Sequence, residues 1–282
     1  MIRRLTIVGL GLLGGSLAKA ARAESLAREI VAVGRRMGSL EPALVDGAVD
    51  RITTDVAEGV AGADLVVLAT PVATLEAQLP AVWLAAADGA LVTDVGSAKA
   101  RIVSVAEALA AERPLAFVGG HPMAGSNLAG YPMSRADLFR GALVILTPTE
   151  RTNAEAVKRA TELWEAVGGR VMSLDPVTHD RAVAAVSHLP HLVADALVDA
   201  VARMDPQFFD VAARGFKDTT RIAASDPVMW RDIFEQNREA LAESLAAFRA
   251  ALADLETLVR SGESARIEAE LERIRALRER LG

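Results

Sequence analysis

The chain has 282 residues, 51% of them apolar and 24% charged, enough to bury one large core or two modest ones, and its length favours two domains. A formal net charge of -6, with no compensating basic patch, gives no general attraction to nucleic acid or anionic membranes, so the expected partner is a small molecule. The absence of cysteine excludes disulfides, thiolate nucleophiles and thiolate metal sites, and fits a reducing, cytoplasmic setting.

Short apolar runs alternate with helical stretches through roughly the first 175 residues, the pattern of βαβ units and a parallel-rich sheet. Strands are expected at 4–8, 30–33, 64–69, 90–94, 117–119, 143–147 and 170–173, and their apolar continuity implies burial on both faces. Arg3 and Arg4, ahead of an apolar run that ends near Ala18-Lys19-Ala20, imitate a twin-arginine secretory leader. The glycines within that run would interrupt the apolar core of a leader, whereas a strand-turn-helix unit uses them all. No other run approaches the ~20 apolar residues that span a bilayer, so no membrane partner is expected.

After Asp175-Pro176 the strand-like runs stop and alanine- and leucine-rich stretches with helical spacing take over. With a glycine loop at Gly9, Gly11 and Gly14 after the first strand, residues 1–174 are read as an α/β Rossmann-type dinucleotide-binding domain and 175–282 as an all-α substrate and dimerisation domain. In the second, Leu241, Leu245, Phe248, Leu252, Leu255 and Leu258 recur at steps of three and four, as do Ile267, Leu271, Ile274, Leu277 and Leu281. Such stripes need a partner surface, either within the chain or on a second copy, and a helix-mediated homodimer is expected.

Gly9-Leu10-Gly11-Leu12-Leu13-Gly14 follows the first strand directly and opens a helical stretch. In that context Gly9 allows the tight turn, Gly11 lets the backbone approach a pyrophosphate, and Gly14 permits close helix-to-strand packing. The phosphates then sit on the helix N-terminus at Leu12 and Leu13, where unpaired N–H groups and the helix dipole favour negative charge. At the end of the second strand, Val33-Gly34-Arg35-Arg36 offers no acidic residue for a ribose 2′-hydroxyl and presents two guanidinium groups instead. NADP is expected over NAD, with NAD as the second cofactor; the plain alternative is that Arg35 and Arg36 are solvated loop residues.

Further strand ends carry Thr70-Pro71, Asp94-Val95-Gly96-Ser97-Ala98-Lys99 and Gly120-His121-Pro122. In a parallel sheet these open onto the crevice that holds a nicotinamide, which makes Thr70, Pro71 and Gly96 candidate cofactor contacts. Imidazole titrates near neutrality, so His121 could take a proton from a substrate hydroxyl while hydride leaves for the cofactor; its bland reading is a hydrogen-bonded loop histidine. In the helical half, Ser187-His188-Leu189-Pro190-His191 and Gly215-Phe216-Lys217-Asp218-Thr219-Thr220-Arg221-Ile222-Ala223 interrupt the alanine-rich background. His188 and His191 stand three apart, on one helical face, but no third ligand accompanies them and no metal site is expected. Arg221 offers a planar fork suited to a carboxylate, or alternatively an ordinary ion pair.

These segments, with His121-Pro122-Met123-Ala124-Gly125-Ser126 and Ser225-Asp226-Pro227-Val228-Met229-Trp230 followed by Asn237, occur in the order of the prephenate/arogenate dehydrogenase family of tyrosine biosynthesis, which the chain resembles over positions 9 to 237. The resemblance implies oxidative decarboxylation of a cyclohexadienol, with hydride passing to NAD(P). By the same resemblance His121 accepts the proton of the ring 4-hydroxyl and Ser97 bonds near that hydroxyl and orients His121. Arg221 grips the ring carboxylate, and His191, His188 and Ser126 belong to the substrate cleft. Many relatives carry glutamate and lysine where this chain has Asn127 and Leu128, which leaves the choice between prephenate and arogenate open; the second histidine of the Ser187–His191 segment inclines toward prephenate. Two rivals remain: a β-hydroxyacid-type reductase, which would commonly use a lysine of the helical half, where only Lys217 is found, and a non-catalytic NADP-binding redox sensor that dimerises through its helices.

Overall fold

The computed structural model describes residues 1–125 and 129–281. Its first half alternates β1 (Ile2–Val8), α1 (Leu12–Ala23), β2 (Ala27–Val33), α2 (Met37–Val45), β3 (Arg51–Thr53), α3 (Val56–Val60), β4 (Leu65–Leu68), α4 (Val72–Ala85), β5 (Leu91–Asp94), α5 (Ala100–Glu112) and β6 (Ala116–Pro122). It ends with β7 (Leu143–Thr147), α6 (Ala154–Ala166) and β8 (Arg170–Ser173). The strands form one eight-stranded sheet in the order β3-β2-β1-β4-β5-β6-β7-β8. Every pair from β3 to β6 is parallel, β7 runs antiparallel to β6, and β8 lies parallel to β7.

The central strands are buried on both sides, whereas β8, at the edge of the sheet, is largely exposed, contrary to the expectation for 170–173, because only one neighbouring strand covers it. Leu5 and Ile7 of β1 and Leu65 and Val67 of β4 enter one apolar cluster, while Val8, Val66 and Leu68 enter another across the sheet. This is the period of two expected of a strand covered by helices on each face. Two local departures from the sequence expectation concern position. The three-residue β3 is too short to leave an apolar run, and β6 continues through Pro122, so His121 lies inside a strand opposite Ile145 of β7 rather than beyond a strand end.

At Asp175 the chain turns helical. The Asp175 carboxylate accepts from the N–H groups of Val177 at 3.2 Å and Thr178 at 2.9 Å, and Pro176 occupies the first turn of α7 (Pro176–Val183). A π-helical turn at Ala184–His188 joins α7 to α8 (Leu189–Met204). Then follow α9 (Arg214–Thr220), a 3-10 turn at Arg221–Ala224, α10 (Pro227–Gln236), α11 (Arg238–Ser261) and α12 (Ser264–Glu279). Among the described residues no helix is long and apolar enough to cross a membrane.

The two halves differ in how much they bury. From α7 onward the buried apolar side chains are Val183, Ala184, Ala194, Ile233 and Leu241, whereas Leu252, Val259 and Leu271 on the last two helices are 54%, 66% and 56% exposed. The sheet half therefore carries the core of the isolated chain.

Close packing of α1 on β1 gives a direct test. A Cβ at Gly14 would stand 2.0 Å from the carbonyl oxygen of Gly9, while one at Gly11 would meet nothing within 4 Å. Gly14→Ala should lower stability by about 1–3 kcal/mol, because a fixed backbone oxygen cannot yield to the added methyl. Gly11→Ala should stay within about 0.5 kcal/mol of the parent. Urea unfolding of both variants reads the difference; equal midpoints would refute the packing argument.

Candidate active site

Strand order reverses between β1 and β4, and ligands of such sheets collect beyond the carboxyl ends of the strands at that point. Gly9 leaves β1 with φ +99°, donates its N–H to the Val33 carbonyl at 2.8 Å, and could carry no side chain, since a Cβ would come within 2.7 Å of the Ala69 backbone. The helix that follows has neither a side-chain cap nor an acidic residue in its first turn. Its first N–H groups, at Leu12 and Leu13, and the positive end of its dipole are thus left for an anion. Gly11, with open space where a side chain would project, suits close approach by that anion. Beyond β2, Arg35 and Arg36 are exposed and form no ion pair among the described residues. Thr70, after β4, donates its hydroxyl to Gln78 Oε1 at 3.1 Å, and Pro71 is the N-cap residue of α4. These features fit a dinucleotide with a charged phosphate end.

At the end of β5, the Asp94 carboxylate organises the neighbouring loop. It accepts from the N–H groups of Gly96 at 2.8 Å and Gly120 at 3.1 Å and pairs with the Lys99 ammonium, both side chains being fully buried. One carboxylate thus ties the end of β5 to β6 and to the start of α5. A buried cation is tolerable only with such a partner.

His121 stands on the residue after Gly120 and is 8% exposed. Its Nδ1 lies 2.9 Å from Nε2 of His179 on α7, and Nδ1 of His179 lies 2.8 Å from Oδ1 of Asp180. Asp180 in turn accepts from the N–H groups of Lys99 at 2.7 Å and Ala100 at 2.9 Å, capping α5 from the other half of the chain. Burial holds the His121 imidazole well below the usual histidine range, reinforced by the nearby His179, Lys99 and His188. It is therefore neutral at physiological pH and can accept a proton. Its Nε2 has no hydrogen-bond partner among the described residues.

The adjoining wall comes from α8, α10 and the start of α11. Asn237 Nδ2 donates to the Asp180 carbonyl at 2.8 Å and to Nδ1 of His188 at 3.1 Å. His191 stacks on Trp230 with ring centres 3.5 Å apart, and His188 meets the same indole edge-on at 6.1 Å. The Nδ1 of His191 is buried without a partner among the described residues. Burial depresses His188 to about 4, with Asp180 opposing, and also lowers His191, with Asp195 opposing.

The other expected site residues are placed as follows. Ser97 is half-buried between β5 and α5 and makes no side-chain hydrogen bond among the described residues; the group that holds His121 is His179. Arg221 is exposed on the 3-10 turn that packs against α8, the helix of His191, and it forms no ion pair among the described residues. Ser126 lies outside the described residues. His179 and Asp180 stand outside every sequence motif named above, and Asp94, Lys99, Trp230 and Asn237 carry no site role in those motifs. A His-Asp pair just inside a capped helix was the available signal, but nothing in the sequence brings it to His121.

An imidazole kept neutral at the edge of a dinucleotide-type sheet has a proton to gain, and the fold's habitual cofactor has a hydride to gain. Together they define a nicotinamide-dependent oxidoreductase with a helical second half. Comparison with known proteins makes the family specific: the model for the prephenate dehydrogenase nucleotide-binding domain matches residues 17–173, and that for the prephenate dehydrogenase dimerization domain matches 175–273. The chain belongs to the prephenate dehydrogenase family.

It is 33% identical over 266 residues to a cyclohexadienyl dehydrogenase of Zymomonas mobilis, covering 93% of this chain and 90% of that one. It is 35% identical over 239 residues to the prephenate dehydrogenase of Bacillus subtilis, covering 83% of this chain but 64% of the longer relative. Among solved structures, prephenate dehydrogenase from Aquifex aeolicus in complex with hydroxyphenyl propionate and NAD+ superposes with a TM-score of 0.93 at 35% identity, over 100% of this chain and 99% of that one. A 3-hydroxyisobutyrate dehydrogenase from Salmonella typhimurium reaches a TM-score of 0.61 at 16% identity, a likeness of fold alone. Lys217, the lysine such a reductase would need, is exposed on α9.

The buried histidines set a pH dependence of stability. Their folded values lie below the ~6.5 of an unfolded histidine, so between pH 6.5 and about 4 the unfolded chain binds protons that the folded chain refuses. Stability is complete above that window and falls as pH falls through it, by about 3 kcal/mol from His188 alone. Urea midpoints should drop between about pH 7 and pH 4.5, with a shallower slope in His188→Gln. A flat midpoint across that range would contradict the burial of these rings.

Proposed function

We propose that the chain oxidatively decarboxylates prephenate to 4-hydroxyphenylpyruvate, with arogenate as its second substrate, that it prefers NADP to NAD, and that it acts as a homodimer. In this reading residues 1–174 bind the dinucleotide and residues 175–282 supply the substrate wall and the dimer contact. The observation that carries it is His121, neutral, with Nδ1 engaged by His179 and Nε2 without a partner among the described residues.

Bound nicotinamide supplies the hydride acceptor. Gly9, Gly11 and Gly14 and the N–H groups at Leu12 and Leu13 hold the pyrophosphate, Thr70, Pro71 and Gly96 border the crevice, and Arg35 and Arg36 meet the 2′-phosphate. His121 Nε2 takes the proton of the ring 4-hydroxyl as hydride leaves that carbon, and Ser97 steadies the hydroxyl. The dienone so formed loses its ring carboxylate as CO₂ and becomes a phenol, so aromatisation drives the second step and the protein mainly aligns the first. Arg221 holds the ring carboxylate. It is a binding residue, because stabilising a carboxylate does nothing to expel CO₂. His188, His191 and Ser126 border the same substrate. The exposed apolar stripes of α11 and α12 support a second copy as their cover, as does the description of the family model matched by residues 175–273.

Charge-assisted bonds from Arg35 and Arg36 to a phosphate are worth ~1.5–3 kcal/mol, so kcat/KM should favour NADP by about 10- to 100-fold with prephenate as substrate. Equal values, or a preference for NAD, would remove the specificity claim. Turnover of neither prephenate nor arogenate with either cofactor would remove the activity.

Site roles separate in kinetics. His121→Asn should lower kcat by about 10²-fold or more with little change in KM, and Arg221→Ala should raise KM by about tenfold or more with a smaller effect on kcat. Near-full kcat in His121→Asn would end its role as proton acceptor.

A further inference from the structure

We infer that His179 and Asp180 are positioning residues of this reaction: with His121 they form a relay that fixes which ring nitrogen faces the substrate and carries the charge of proton capture toward a carboxylate. The inference rests on His121 being the proton acceptor, and it adds two residues that no motif of the sequence reading contains.

Hydrogen-bond partners dictate the tautomers. Asp180 Oδ1 is acceptor-only as a carboxylate, so the His179 Nδ1 that lies 2.8 Å away must carry a proton. A neutral His179 then has a lone pair at Nε2, and the His121 Nδ1 that lies 2.9 Å from it must be the donor. The lone pair of His121 is thereby assigned to Nε2, the nitrogen with no partner among the described residues. Without His179 and Asp180 nothing selects that tautomer over the opposite one, whose proton would point at the substrate hydroxyl and block transfer.

The same chain resolves a conflict in the site. Burial makes His121 a poor place for positive charge, and Lys99 from the start of α5, His179 from α7 and His188 from the π-helical turn all oppose it. Asp94, a second buried carboxylate bound to Lys99, already carries its ammonium and two N–H groups, and buried Asp232 is paired with Arg231. Asp180 has only N–H donors and His179, so it is the carboxylate left to balance a new cation. The step conserves protons and needs no further reactant. The substrate O–H bond breaks and a bond forms at His121 Nε2; the His121 Nδ1–H bond breaks and one forms at His179 Nε2. The cation then rests on the His179 imidazolium against Asp180.

The geometry is rigid enough for this purpose. Asp180 is fixed by the N–H groups of Lys99 and Ala100, Asn237 holds the Asp180 carbonyl, and His179 is fully buried. The preceding turn of α7 is itself capped by Asp175.

With only four histidines in the chain, ¹⁵N-histidine spectra of the wild-type protein near neutral pH can resolve each ring. His121 and His179 should both show the Nδ1–H tautomer, and His188, whose Nδ1 accepts from Asn237, the Nε2–H tautomer. An Nε2–H tautomer on His121 or on His179 would overturn the relay. In kinetics, Asp180→Asn should lower kcat by about 10²-fold while KM for prephenate stays within about threefold. Removing the negative charge disfavours the protonated dyad, so the acid limb of the kcat profile should move to lower pH. Unchanged kcat, an unmoved acid limb, or a loss confined to KM would each refute the proposal. If Asp180→Asn fails to fold, the wild-type spectrum still decides. Should His121→Asn keep its activity while the tautomers are as stated, the proton-acceptor reading fails and not the hydrogen-bonded chain.

Discussion

The carboxylate of Asp180 is the interaction on which the rest of the site depends. It belongs to the first helix of the second half, yet it caps α5 of the first half through two N–H groups and holds His179 against His121. A single acidic side chain thus ties the helical half to the sheet half and, through His179, holds the His121 ring. Both tasks draw on the same physical fact: a buried carboxylate is stable only when donors surround it, and here one set of donors is structural and the other chemical.

The neighbouring Asp94 makes the contrast instructive. It sits as deep, also accepts backbone N–H groups, and is matched by a fully buried lysine. Its charge is therefore spent locally, and its effect is to hold β5, β6 and α5 in fixed register around the residue before His121. Two buried acids consequently do different things: one is neutralised and holds the scaffold, and the other, on the proposed reading, answers a charge that appears during reaction. Exchanging Lys99 for a neutral residue would blur that division as well as strand an acid, which is why a buried ion pair of modest net worth can still be hard to dispense with.

How much of this was written in the sequence depends on whether a feature is local. The Rossmann unit was legible because its glycines answer local demands: a positive φ at Gly9 and a carbonyl 2.0 Å from the Cβ that Gly14 lacks. The change of character at Asp175-Pro176 was legible for the same reason, since a cap and a first-turn proline act within four residues. The three-residue β3 and the extension of β6 through His121 were not, because both are set by neighbouring strands. His179 and Asp180 were invisible as site residues: their meaning lies in partners 58 and about 80 positions away, beyond any motif. Ser97, which the family resemblance sets beside His121, shows the reverse case, a residue prominent in sequence whose hydroxyl has no partner among the described residues.

The helical half raises a final question of energetics. It carries His179, Asp180, His188, His191 and Arg221, yet few of its apolar side chains are buried within one chain. Helices of this kind gain most of their stability from tertiary packing rather than from propensity, so α11 and α12 need a cover that the chain itself does not supply. On the proposed reading a second copy provides it. Asn237, which closes the polar chain behind His188, occupies the N-cap position of the very helix whose far end offers the exposed stripe, without a side-chain cap bond of its own. Ordering α11 by dimerisation would therefore order Asn237, and through it the Asp180 carbonyl and the His188 ring. Assembly and the alignment of the base are then one equilibrium viewed from two ends of a helix, and the large, well-packed sheet can hold cofactor groups without depending on either.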